Sequence, residues 1–161
     1  MNYKNALCVS IALMFIGCAS GTKFTSAVQP TNDTARLYVF RPSSPPYLYK
    51  PTIYINGIKV AELSNKGYFD VNIKSGTYNL RSEWSMFSGV VGRITDIEFK
   101  VESGKTYYAK IATTVNAYGM YIAGVAKNIT EIIDSSSAMP IIVECELVEK
   151  YADAENQIGP K

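Results

Sequence analysis

From residue 35 onward the chain alternates apolar and polar side chains with period two. Glycine, proline or asparagine breaks the pattern every few residues, which leaves room for little besides short strands joined by tight turns. Leu37 and Val39 alternate with Arg36, Tyr38 and Phe40 before Arg41-Pro42 stops the run. Thr52-Ile53-Tyr54-Ile55 and Ile58-Lys59-Val60-Ala61 flank Asn56-Gly57, a pair that tolerates positive φ and closes a type I′ hairpin. Phe69, Val71 and Ile73 share one face of 67–73, and Ser75-Gly76 turns the chain into 77–84. Ile97, Phe99 and Val101 share a face of 94–101, Glu102-Ser103-Gly104 turns into 105–111, and 129–133 supplies a closing strand. The prolines of Pro42-Ser43-Ser44-Pro45-Pro46 cannot donate ladder hydrogen bonds, so this stretch is loop. The expected fold is all-β: an antiparallel β-sandwich, Ig-like or transthyretin-like, of about seven or eight strands.

A C-terminal helix is expected to follow, because Ile141, Cys145, Val148 and Ala152 fall on one helical face, although Ile141, Val143, Cys145 and Leu147 would suit a strand. Pro140 suits its first turn, and the preceding serines suit its cap. The domain thus covers 35–150, and 151–161 is expected to fray.

The segment ahead of the domain carries an address. Lys4 precedes an apolar run over 6–16, which ends in Phe15-Ile16-Gly17-Cys18. Eleven helical residues at ~1.5 Å each reach about 17 Å, too short for a ~30 Å hydrocarbon core, so 1–17 reads as a secretory signal. The Cys after Gly17 makes the signal similar to a bacterial lipobox, with Phe15 where leucine is usual. The resemblance implies cleavage before Cys18 and acylation of its thiol and new amine. Residues 18–34 are then the lipidated cysteine and a small, polar tether, able to reach about 50 Å when extended. Ala19 and Ser20, with no aspartate, resemble the outer-membrane sorting pattern of enteric-type bacteria. The expected location is the bacterial envelope, at the outer membrane facing the periplasm.

Composition excludes several classes of function. A formal net charge of +2 with no basic cluster gives nucleic acid no face to bind. With Cys8 in the signal and Cys18 lipidated, only Cys145 of the three cysteines remains, so no intrachain disulfide can form. The chain has no histidine, and Cys145 follows the apolar Ile141-Ile142-Val143, which makes it a buried small hydrophobe rather than a nucleophile. Neither a calcium loop, nor a nucleophile elbow, nor a phosphate cradle occurs. Glu62, Asp70, Glu83 and Asp96 carry no informative spacing and read as solvated strand faces. No catalytic residue, metal ligand or cofactor is expected.

Tyrosine is the unusual signal, with 12 in 161 residues. Tyr54, Tyr78 and Tyr108 read as sheet residues with packed rings and wet hydroxyls. Tyr47, Tyr49, Met86, Phe87, Tyr118, Met120 and Tyr121 fall in loops. Gathered at one end of a sandwich, they would form an aromatic rim of the composition enriched at interfaces, a candidate partner surface.

The succession ARLYVFRP, IYINGIKVAEL, GYFDVNIKSGTYNL and VESGKTYYAKI resembles the lipoproteins grouped as domain of unknown function twenty-eight forty-six. The resemblance runs over 35–111 and more loosely beyond, with 113–127 departing as an insertion-like segment. The pieces are also similar to PEGA-type surface modules. Neither family brings catalytic residues. The functional expectation is a lipid-anchored module, held to the membrane through Cys18, that binds an envelope protein partner. The alternatives are glycan or peptidoglycan-fragment binding by stacked tyrosines, and a hydrolase built on a carboxylate pair.

Overall fold

The computed structural model describes residues 21–86, 90–91, 93–115 and 126–161. In chain order the strands are β1 (Ala35–Phe40), β2 (Thr52–Ile55), β3 (Ile58–Glu62), β4 (Gly67–Ile73) and β5 (Gly76–Glu83). Then come β6 (Val90–Val91), β7 (Ile94–Val101), β8 (Thr106–Val115), β9 (Ala126–Ile133) and β10 (Glu146–Leu147). They form two sheets, ordered β10-β4-β1-β8-β9-β6 and β3-β2-β5-β7, packed as a β-sandwich. Asn56 and Gly57 both take positive φ, 50° and 84°, as the β2–β3 hairpin requires.

Most neighbours run antiparallel, but β1 pairs in parallel with β8, from Arg36 opposite Thr106 to Phe40 opposite Lys110. Both faces of β1 are covered, which is where parallel pairing belongs. Leu37 and Val39 join the core between the sheets, with Ile53, Phe69, Leu80 and Ile111. Tyr38 and Phe40 join a second core on the outer side of the larger sheet, with Phe24, Tyr68, Tyr108, Ile142 and Cys145.

That second core corrects the picture of residues 18–34 as a free tether. Phe24 is buried, its ring edge-on to Tyr38 and Tyr68 at 5.5 and 5.4 Å. The Phe24 N–H donates to the Cys145 carbonyl, the Leu147 N–H to the Thr22 carbonyl, and the Val28 N–H to the Tyr38 hydroxyl. From residue 21 the segment is a strap laid across the sheet. One aromatic among small polar residues shows no periodicity, yet a single buried ring and three backbone bonds suffice to dock it.

The helix lies earlier than expected. α1 spans Ser135–Ile142, and Asp134 caps it, accepting from the Ser137 N–H at 2.9 Å and from the Ser136 and Ser137 hydroxyls. Pro140 sits inside the helix rather than in its first turn. Helix ends at Ile142 because Glu146 and Leu147 are claimed by β4, where they pair with Gly67 and Tyr68 as β10. The tail does not fray at the far end of the sandwich. α2 (Ala154–Gln157) buries Ala154, Glu155 accepts from the Asn72 N–H, and the Lys161 N–H donates to the Thr77 carbonyl. Nor is the Tyr78 hydroxyl wet, since the residue is fully buried and donates to the Lys74 carbonyl.

Candidate functional site

Strand registers sort the turns between two ends of the sandwich. Thr52 opposes Glu83 and Glu83 opposes Ile94, so β2 starts, β5 ends and β7 starts at one end. Phe40 opposes Tyr68 at the same end, which places the 41–51 and 63–66 loops together, bridged by the Leu63 N–H on the Pro51 carbonyl. In β8 and β9, Val115 pairs with Ala126 beyond the level of Phe40 and Lys110, again toward this end. The opposite end carries Asn56-Gly57, the 102–105 turn and the C-terminal tail.

Arg41 organises the first end. It follows β1 directly, is fully buried, and forks into three carbonyls of the next loop. Its Nη1 donates to Tyr49 at 2.7 Å, and its Nη2 donates to Ser44 at 2.9 Å and Pro46 at 2.8 Å. Among the described residues no carboxylate pairs with it. Desolvation lowers its pKa to about 10, so the guanidinium stays protonated at neutral pH. The Ser44 N–H, in turn, donates to the Asn65 side chain, tying the loop to its neighbour. Sequence reading took Arg41-Pro42 only as the end of a strand. Its signal was a cation placed between an apolar strand and a proline-rich loop full of carbonyls that prolines leave unpaired.

The loop held this way projects Tyr47, Leu48 and Tyr49 outward, at 62%, 93% and 40% exposure. Beside it opens a cleft of about 800 Å³, lined by Gly21, Lys50, Lys66, Glu144, Glu146 and Tyr151 among others. Gly21 belongs there for a steric reason. A Cβ on it would lie 2.0 Å from the Leu147 carbonyl oxygen, so only glycine lets the strap approach β10 so closely.

Of the partner-surface residues expected from sequence, Tyr47 and Tyr49 are exposed at this end, as is Met86, two residues past Trp84. Phe87, Tyr118, Met120, Tyr121 and Cys18 lie outside the described residues. The four scattered acids do not form a pair. Glu62 faces Lys59 and Tyr151, Asp70 holds Arg36 at 2.5 Å, Glu83 faces Arg81, and Asp96 is exposed on β7 opposite Arg81.

Burial pushes the Cys145 thiol up to about 12, and it lies against the Arg41 and Ile141 carbonyls. It is a packed hydrophobe. Asp134, held well below the usual carboxylate range by its serine donors, serves the helix cap. Among the described residues no group of three potential ligands could hold a metal ion, and no helix is long and apolar enough to cross a membrane. A deeper polar cluster, Ser82, Thr95, Asn128 and Thr130, joins the sheets behind the loop end. The Thr95 and Thr130 hydroxyls are 2.5 Å apart, and Asn128 donates to Ser82 at 2.9 Å. It contains no titratable group and acts as a clasp between β5, β7 and β9.

Residues 31–125 match the family described as Protein of unknown function (DUF2846). The chain belongs to that family. The DUF2846 match takes in β1 through β8, and with them Arg41, the 42–51 loop and Trp84, while β9, α1 and β10 lie beyond it. A protein from Haemophilus influenzae, described as uncharacterized, is 27% identical over 130 residues, covering 76% of this chain and 72% of its own. No solved structure matches.

Proposed function

We propose that this DUF2846 protein is a lipid-anchored, non-catalytic module of the bacterial envelope, at the outer membrane facing the periplasm. It engages an envelope protein at the end of the sandwich from which the Tyr47 loop and Met86 emerge. The observation that carries this reading is the route of the strap. It runs along the larger sheet and reaches the loop end at Gly21, three residues in sequence after Cys18. An acyl chain on Cys18 contributes about 0.8 kcal/mol per buried methylene, so two or three chains hold the module permanently. A non-catalytic role is supported by the chemistry of the described groups: a protonated, buried thiol, Glu62, Asp70 and Glu83 each beside a different cation, and Asp134 capping a helix.

Fractionation of a Cys18→Ala variant tests the anchor. It should leave the membrane or accumulate as precursor, and retention on membranes through a carbonate wash counts against lipid attachment. A photo-crosslinker at Met86 in intact cells tests the partner. Recovery of one envelope protein, lost when the crosslinker is moved to Glu102 at the opposite end, supports it, and an uncrosslinked chain at native expression refutes it.

A further inference from the structure

Resting on the lipid-anchor reading, we propose that the Tyr47-Leu48-Tyr49 tip seats in the headgroup–acyl boundary of the same bilayer that carries Cys18. This leaves the Met86 side of the end for protein. Leu48 is 93% exposed on a loop that cannot fold back to hide it. Arg41 fixes the carbonyls on both sides, of Ser44 and Pro46 before the tip and of Tyr49 within it. Pro45, Pro46 and Pro51 remove further freedom. A rigid loop that presents a leucine between two tyrosines has the composition of a membrane interface, where an apolar residue enters and amphipathic rings stay at headgroup level. Lys50 follows at once, with a stem long enough to lie along the boundary and a charge that stays wet.

Position selects a bilayer over a protein. Gly21 and Lys50 line one cleft, and Cys18 is three residues from Gly21, a reach of at most about 11 Å. Any lipid on Cys18 therefore brings the bilayer to this end of the sandwich and raises the effective concentration of lipid at the tip. The cleft beside it mixes Lys50 and Lys66 with Glu144 and Glu146, so no single-sign field repels or selects a charged partner. One leucine with two flanking rings is also far smaller than the ~800 Å² per side of a stable protein interface.

The test uses the full lipidated protein in vesicles of phosphatidylethanolamine and phosphatidylglycerol. An environment-sensitive fluorophore is placed on Leu48→Cys and, as a control, on Glu102→Cys in the turn at the opposite end. Cys145 is buried and stays unlabelled. The position-48 probe is expected to shift to the blue, brighten several-fold and be quenched by nitroxide-bearing lipid, while the position-102 probe reports water. Flotation with the vesicles while position 48 also reports water overturns the tip insertion alone. A protein that does not float overturns the anchor and the insertion together. A blue shift without lipid quenching means that a second copy covers the tip, and it overturns the insertion too.

Discussion

The Arg41 guanidinium carbon lies 4.6 Å from the centroid of the Trp84 ring, so the chain's single tryptophan covers the cation that staples the 42–51 loop. Charge, ring and carbonyls make one buried unit, with no carboxylate paired to it among the described residues. Its stability comes from a planar fork matched to three acceptors and from attraction to the ring face, neither of which a lysine reproduces. Arg41→Lys is expected to destabilise the protein by about 1–3 kcal/mol, and Arg41→Met by about 2–4 kcal/mol, because buried carbonyls lose their donors. Urea unfolding followed by circular dichroism measures both. A methionine variant as stable as the parent would mean that water serves these carbonyls equally well.

The buried thiol gives a pH signature. Cys145 has an ordinary value of 9.0 and is pushed up by burial to about 12 in the fold. The unfolded chain therefore loses this proton first, and stability falls as pH rises from about 9 to about 12, by up to about 4 kcal/mol. Burial also raises Tyr68, Tyr78 and Tyr108, which add to the same slope at higher pH. Cys145→Ala should flatten the alkaline limb of a stability–pH curve, and the native thiol should resist iodoacetamide at pH 8 until urea is added. Rapid alkylation of the folded protein would contradict the burial.

Much of the sandwich was legible because its strands alternate and its turns carry glycine. Leu37, Val39, Phe69, Val71 and Ile73 could be assigned to a core from spacing alone, and Asn56-Gly57 fixed a register. What could not be read was set by contacts distant in sequence. Phe24 finds Tyr38 and Tyr68 only after β1 and β4 pair, so a strap looked like a tether. Residues 146–147 carry both a helical and a strand pattern, and the free edge of β4 decides between them. Exposure of the Tyr47 loop was anticipated, but Arg41, the residue that holds it out, was not. Its role depends on three carbonyls that composition does not reveal.

The α1 cap gives an acid counterpart. Asp134 ordinarily titrates near 3.8 and is held lower by the Ser136 hydroxyl and by the Ser137 N–H and hydroxyl. A depressed carboxyl stabilises the fold above its unfolded value and loses that contribution as pH falls through the folded one. Asp134→Ala should be less stable than the parent at neutral pH, with the gap closing progressively below pH 4. Asp134→Asn, which keeps an acceptor oxygen, should fall between them. A gap that persists unchanged in strong acid would show that the cap acts without its charge.

Under the proposed lipid anchor, the strap links stability to placement at the membrane. Phe24 supplies its one buried ring, and Gly21 permits its contact with Leu147. Removing the ring costs about 3 kcal/mol or more of docking energy, leaving two backbone bonds and one to the Tyr38 hydroxyl at about 1 kcal/mol each to hold the strap. Phe24→Ala should therefore open the strap locally before the sandwich melts. Trypsin would then cut after Lys23 in the variant far faster than in the parent, while the core transition in urea shifts little. Freed, residues 18–34 regain a reach of about 50 Å, and energy transfer from a label at position 48 to a headgroup dye should fall as the body leaves the bilayer. Equal trypsin resistance at Lys23 in parent and variant would mean that the backbone bonds alone hold the strap. The loop end would then face the membrane whatever residue stands at position 24.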